Sequence, residues 1–183
     1  MPFVSRAGQK LAHALDTFGL EVRNRACADL GSNVGGFVDC LLQRFAAKVY
    51  AIDTGYGVLD WKLRNDPRVI VMERTNAIHV ELPEVVSLIT IDVAWTKQRI
   101  ILPAARRLMR GDGDLVTLIK PHYEAEQTML RKGVLPAERV DEVVERVKGE
   151  MVAQGFQIAQ ITPSPLKGGG GNIELLAWLR PNP

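Results

Sequence analysis

Cysteine is nearly absent from this sequence, with only Cys27 and Cys40 among 183 residues. Two thiols cannot build a disulfide framework, and without a paired Cys/His spacing they make no zinc site, so no metal is expected and both read as small core residues. Long apolar runs are also missing. No stretch approaches the roughly 18 residues of a membrane-spanning helix, and the N-terminus MPFVSRAGQK lacks the apolar centre of a signal peptide. The expected location is the cytoplasm, with no membrane partner. Charge of one sign is lacking too: 23 Lys and Arg against 21 Asp and Glu leave +2, a balance that neither demands nor excludes nucleic acid. There is no internal repeat, no low-complexity tract beyond Gly168–Gly171, and no dividing linker, which points to a single domain over 1–183. With 46% hydrophobic residues, that domain has enough apolar side chains for a substantial core.

Short β-branched runs alternate with helical patterns almost from end to end. Candidate strands are 27–30, 49–53, 69–72, 86–92 and 115–120, near-continuous apolar runs of the kind expected for parallel strands covered on both faces. Helical stretches fall at 36–45, 58–63, 99–109 and after Pro136, where Val140, Val143, Val144, Val147 and Met151 share a face and Gly155 can close the helix. A further helix over 5–18, with Leu11, Ala14, Leu15 and Phe18 on one side, sits in an N-terminal extension of residues 1–22. The pattern is a doubly wound α/β sheet. At the C-terminal end, 156–161 and 173–179 read as strands joined by TPSPLKGGGGN, which has no room for a crossover helix, so they should pair antiparallel. A mostly parallel Rossmann-like sheet with an antiparallel C-terminal strand resembles the seven-stranded, three-layer α/β sandwich of class I methyltransferases dependent on S-adenosylmethionine (SAM).

The segment ACADLGSNVGGF places Asp29 and Gly31 at the end of the first strand and Gly35 and Gly36 at the start of a helix. Glycines there let backbone approach a ligand and present helix N-terminal N–H groups. A dinucleotide fingerprint needs glycine at position 33, where the pyrophosphate comes close; Asn33 stands there and disfavours NAD. SAM carries no phosphate and accommodates a side chain more easily. Asp53, ending the second strand, is placed to accept hydrogen bonds from ribose hydroxyls, and Asn76, beyond the third, to read an adenine edge.

Four ionisable residues stand where a packed α/β domain does not need them. Asp92 ends the strand VSLITID, Lys120 ends LVTLIK, Glu174 begins NIELLAWL, and Lys10 lies in the first helix. The carboxyl edge of a parallel sheet is where such folds hold ligands, which brings Asp92 and Lys120 to one cleft. From Trp95 to Arg110 five basic residues (Lys97, Arg99, Arg106, Arg107, Arg110) occur without an acidic one. That basic strip reads either as a solvated helix face or as part of an RNA platform.

The blocks SRAGQKL, DLGSNVGGF, VYAIDTGYGVLDWKLRNDPRVIVMERTN, LITIDV, LIKPHYEAE and GGNIELLAWL together resemble the FtsJ-type RNA ribose 2′-O-methyltransferases, and among them the TlyA group of rRNA methylases also labelled haemolysins. The resemblance runs from Ser5 to Leu179. It implies a Lys-Asp-Lys-Glu catalytic tetrad at Lys10, Asp92, Lys120 and Glu174. It also implies SAM binding at Asp29, Gly31, Ser32, Gly35, Gly36, Phe37, Asp53, Asn76 and Asp92. The implied partner is RNA, rRNA in particular; the basic strip then reads as its platform, with Lys97 and Arg99 on phosphates and Trp95 or Tyr123 available to stack on a flipped base, Trp95 reading also as a core residue.

This sequence departs from the family pattern in four places. TlyA-like proteins usually carry a small S4-like RNA-binding domain before the methyltransferase, whereas SRAGQKL lies almost at the start here. RNA recognition is then expected from the domain itself or from a partner. Ala7 replaces a glycine, DVSF reads Asp92-Val93-Ala94-Trp95, and a Lys common before Gly-Asn-Ile-Glu is lost within Gly168–Gly171. The competing readings are a SAM- or RNA-binding module without turnover, a small-molecule methyltransferase and a nucleotide-dependent oxidoreductase.

Overall fold

The computed structural model describes residues 2–182. Among them seven strands form one sheet: β1 (Ala26–Leu30), β2 (Lys48–Ile52), β3 (Val69–Met72), β4 (Val86–Ile91), β5 (Met109–Ile119), β6 (Phe156–Pro163) and β7 (Leu175–Pro181). Their order is β3-β2-β1-β4-β5-β7-β6. The first five are parallel, and β7 runs antiparallel between β5 and β6. The apolar runs are continuous because neighbouring residues of one strand face opposite layers. Cys27, Leu88 and Val116 pack on one side of the sheet, and Ala28, Ile89 and Leu115 on the other.

One layer holds α1 (Ala7–Phe18), α2 (Gly36–Gln43) and the short α3 (Trp61–Arg64). Leu11, Leu15 and Phe18 of α1 join Phe37 and Leu41 of α2 in its core. The opposite layer holds α4 (Gln98–Leu108) and α6 (Ala137–Ala153), whose Val140, Val143, Val147 and Met151 meet Ile101 and Phe156. A single turn, α5 (Pro121–Glu124), follows β5. Cys27 and Cys40 are fully buried, and burial pushes both thiols up to about 12.

Several expected boundaries change, and Asp53 and Asp92 each follow their strands by one residue. The strand at 115–120 begins at Met109 instead, because Met109 pairs with Val86 across a register shift that absorbs the turn-like RGDG. It ends at Ile119, leaving Lys120 as the residue before α5. The helix expected over 58–63 is a single turn from Trp61, started by Asp60, whose Oδ1 accepts from the Lys62 N–H at 2.9 Å. Val58 and Leu59 stay in the preceding loop. Glu174 precedes β7 instead of beginning it.

Placement of α1 depends on two glycines. A side chain at Gly8 would collide with the Phe3 ring and come within 2.8 Å of the Gly36 carbonyl oxygen. One at Gly36 would meet Ser5 Oγ and come within 2.8 Å of the Gly8 nitrogen. The first turns of α1 and α2 therefore touch backbone to backbone. Asp39 ties the chain ahead of α1 to α2 by accepting from the Val4 N–H at 2.9 Å. Gly36→Ala should overpack this crossing and cost about 1–3 kcal/mol, read as a lower urea midpoint with unchanged slope.

Candidate active site

The carboxyl ends of β1, β2, β4 and β5 open onto three adjoining cavities, and Asp92 lies on the wall of all three. The first, about 200 Å³, lies between β1 and the N-terminus of α2 and is lined by Asp29, Ser32, Phe37 and Lys120 among others. The second, about 440 Å³, extends over β2 and β4 between Asp53, Asn76 and Trp95. The third, about 260 Å³, lies under α1 and the glycine loop and holds Lys10, Lys120 and Glu174.

Asp53 crosses the mouth of the β1–α2 loop, where its two carboxylate oxygens accept from the backbone N–H groups of Asn33 (2.8 Å) and Gly55 (2.7 Å). Asn33 makes that contact from a left-handed conformation, φ 47°. The residue that disfavours a dinucleotide thus fixes the orientation of the second-strand aspartate. Gly31 is left-handed too, at φ 88°, and a Cβ there would stand 2.6 Å from the Asp92 carbonyl oxygen, so only glycine lets β1 leave the sheet beside β4. Asn76 is exposed at the far edge, its Oδ1 accepting from the Ile78 N–H at 2.9 Å.

Asp29 is buried, and its Oδ1 accepts a 2.6 Å hydrogen bond from Thr90 Oγ1. Its Oδ2 is buried without a partner. Burial pushes its carboxyl from 3.8 up to about 8, against the Thr90 hydrogen bond, with the Asp92 and Asp53 charges adding to the rise.

The four ionisable residues singled out from the sequence come together as two ion pairs, Lys10 from α1 and the others from strand ends. Lys120 Nζ lies 2.6 Å from Asp92 Oδ1 and donates to the Val93 carbonyl at 3.0 Å. Lys10 Nζ lies 2.5 Å from Glu174 Oε2. Glu174 is 4% exposed and is roofed by Gly168, where a Cβ would overlap its carboxylate. Behind Lys120, His122 is buried, and desolvation together with the Lys120 and Lys10 charges lowers its pKa.

Trp95 is 81% exposed, which excludes a core role. Its ring meets Tyr123 edge-on at 6.4 Å. The basic strip is partly consumed inside the fold: Lys97 donates to the Glu124 carbonyl (3.1 Å), Arg107 to the Ile78 carbonyl (2.8 Å), and Arg110 pairs with Asp112. Arg99 is exposed. Three site residues escaped the sequence reading: Thr90, Arg6 and Lys167, the last two on the rim of the third cavity. Thr90 alone carried a signal, as a polar residue near the carboxyl end of a mostly apolar strand.

The fold is that of class I methyltransferases. A SAM-dependent methyltransferase from Mesorhizobium loti superimposes with a TM-score of 0.67 at 15% identity, over 92% of this chain and 96% of that one. The FtsJ-like methyltransferase family description matches residues 3–181, and the chain belongs to that family. It is 40% identical to YqxC of Bacillus subtilis, provisionally named an rRNA methyltransferase, over 97% of this chain and 65% of that protein. To TlyA of Mycobacterium tuberculosis, named a 16S/23S rRNA (cytidine-2′-O)-methyltransferase, it is 39% identical over 97% of this chain and 68% of that one. A Streptococcus thermophilus structure, provisionally named a hemolysin, superimposes with a TM-score of 0.96 at 37% identity, over 100% of this chain and 68% of that one. The chain thus spans about two thirds of the length of these relatives. No helix among the described residues is long and apolar enough to cross a membrane, and no three His, Cys, Asp or Glu side chains among them gather as a metal site.

Truncating Glu174 to Ala strands the Lys10 charge at a mostly buried position. A loss of about 3 kcal/mol in urea unfolding is expected, and the paired change Lys10→Met with Glu174→Leu should recover most of it.

Proposed function

We propose that this chain is a SAM-dependent RNA ribose 2′-O-methyltransferase, with rRNA, the substrate class named for its relatives, as the RNA. The observation that carries this reading is the placement of both ion pairs around one cavity whose wall, at Asp92, is shared with the cavities of the glycine loop and Asp53. Where the reading fits the cofactor, it does so through unfilled valences. Asp29 offers a buried, unpartnered oxygen to an ammonium. Asp53, pinned by two backbone donors, keeps lone pairs for two ribose hydroxyls. Gly31, Ser32, Gly35, Gly36 and Phe37 would form the wall, with Asn76 at the adenine end.

When bound, SAM supplies an electrophilic methyl on a sulfonium whose departure leaves a neutral thioether. The remaining barrier is alignment of the acceptor oxygen and removal of its proton. Lys120 meets the 2′-hydroxyl and relays that proton: its ammonium gives one proton to the Asp92 carboxylate as Nζ takes the one from the hydroxyl. Asp92 and the Val93 carbonyl hold its Nζ in place, and the Lys10–Glu174 pair holds the hydroxyl from the other wall. Trp95 presents an exposed ring on which a flipped base can stack. With the ammonium of Lys97 already on a carbonyl, Arg99 is the freer phosphate contact in that strip.

Incubating the protein with labelled SAM and cellular RNA, then mapping 2′-O-methyl nucleotides, tests the reading; label that appears only on small molecules, or nowhere, overturns it. Lys120→Ala should lower the rate by about 10²–10⁴ with cofactor affinity nearly intact. Asp53→Ala should weaken cofactor binding first. The two are separated by turnover on the mapped RNA and by cofactor titration.

A further inference from the structure

Asp29 is 1% exposed at the floor of the glycine-loop cavity, with one oxygen held by Thr90 and the other without a partner. Every group that faces it on the packed elements is either neutral, negative or already paired. Next along β1, Cys27 is a buried neutral thiol, and Arg25 is paired with Asp114 at 2.8 Å. At the ends of β4 and β2 stand the carboxylates Asp92 and Asp53. Lys120, after β5, is committed to Asp92, and Lys10, on α1, to Glu174. From α2 only the backbone start at Gly36 and the Phe37 ring reach the cavity, and α1 with the residues before it contributes Ala7 and Ser5.

We propose that Asp29 keeps its proton while the cavity holds no ammonium, and that entry of a ligand's ammonium drives that proton off the Asp29 carboxyl into solvent. This rests on the cofactor reading above. The balance is simple: a neutral carboxylic acid and R–NH₃⁺ become a carboxylate–ammonium pair, the only bond broken is the acid's O–H, and the buffer takes the proton. An ammonium-free cavity favours the acid form, since among the described residues lining it no cation is free to compensate a carboxylate there. The raised pKa of about 8 agrees with that geometry. Selectivity follows because a ligand without the charge leaves the acid protonated and gains no ion pair.

The test is calorimetric titration of S-adenosylhomocysteine at pH 6.5 in buffers of different ionisation enthalpy, where an α-amino group near pKa 7.7–8.0 remains mostly protonated. Close to one proton released per ligand is expected, with affinity rising about tenfold from pH 5.5 to 6.5. The des-amino analogue should bind at least tenfold more weakly and release none. Asp29→Asn should abolish both the release and the pH dependence. If that variant does not fold, carboxyl ¹³C titration of the ligand-free wild type reads the same group, and Asp29 should hold its proton at pH 6.5. Binding without proton release, an ionised Asp29 in the free protein, or equal affinity for the des-amino analogue overturns the proposal while leaving the cofactor reading intact. No binding of either SAM or S-adenosylhomocysteine at millimolar concentration overturns the cofactor reading and this proposal with it.

Discussion

Backbone contact between the first turns of α1 and α2 is the constraint on which the site depends. Both helices lie in the layer over β1, and Gly8 and Gly36 let them approach without an intervening side chain. That closeness brings Lys10 to the sheet's carboxyl edge, where it meets Glu174, 164 residues further along the chain. Glu174 in turn is positioned because β7 inserts antiparallel beside β5, so that its start lies at the carboxyl end of the parallel strands. The two ends of the chain therefore supply one ion pair, and the adjacent strand ends of β4 and β5 supply the other. Parallel strands set Asp92 and Lys120 side by side with no further device.

Within the cleft the charges are close to balanced. Two lysines face two carboxylates at 2.5 and 2.6 Å, so neither pair leaves a strong net field. On the proposed function, a cleft that accepts a cationic sulfonium on one side and a polyanionic strand on the other gains from that neutrality, since a surplus of either sign would repel one ligand. The same economy explains the protein's total of +2. Basic residues between Trp95 and Arg110 are partly tied to carbonyls and to Asp112, and the outer face of α6 carries pairs such as Arg146–Glu150. Net charge was a poor guide because so many charges are satisfied locally.

Most of the fold was legible because the strands are buried on both faces and read as apolar runs, and because a polar tail too short for a crossover forces antiparallel pairing. The errors have two causes, one tertiary and one local. RGDG looks like a turn, yet Met109 finds a partner in Val86, and pairing overrode local chemistry. The Val58–Leu63 segment carries helical spacing, but Asp60 starts the helix late by capping Lys62. At the site, Asp92 and Lys120 were visible as charges ending apolar strands. Lys10 and Glu174 came from motif resemblance, since their meeting depends on a helix crossing that periodicity does not encode. The orphaned Asp29 oxygen was beyond reach for the same reason, and so was the bond that makes Thr90 matter, since a hydrogen-bond partner across a sheet is a tertiary fact.

Because the cavities adjoin, the residues differ in how clearly the roles proposed for them can be separated. Asp92 borders all three, so any change there perturbs cofactor contact, acceptor contact and the Lys120 pair together. Lys120 borders the glycine-loop and acceptor cavities and is nearly as entangled. Asp53 borders the second cavity alone, and Lys10 and Glu174 the third alone. A loss at Asp53 can therefore be read as cofactor loss, and one at Glu174 as loss on the acceptor side once folding is accounted for. The loss at Asp92 will exceed either without belonging to one step, as expected for groups that act as a unit. On the proposed function its position has a physical logic: the methyl group would pass between the cofactor and acceptor cavities, and the side chain on their shared wall is the one able to orient the groups on both sides.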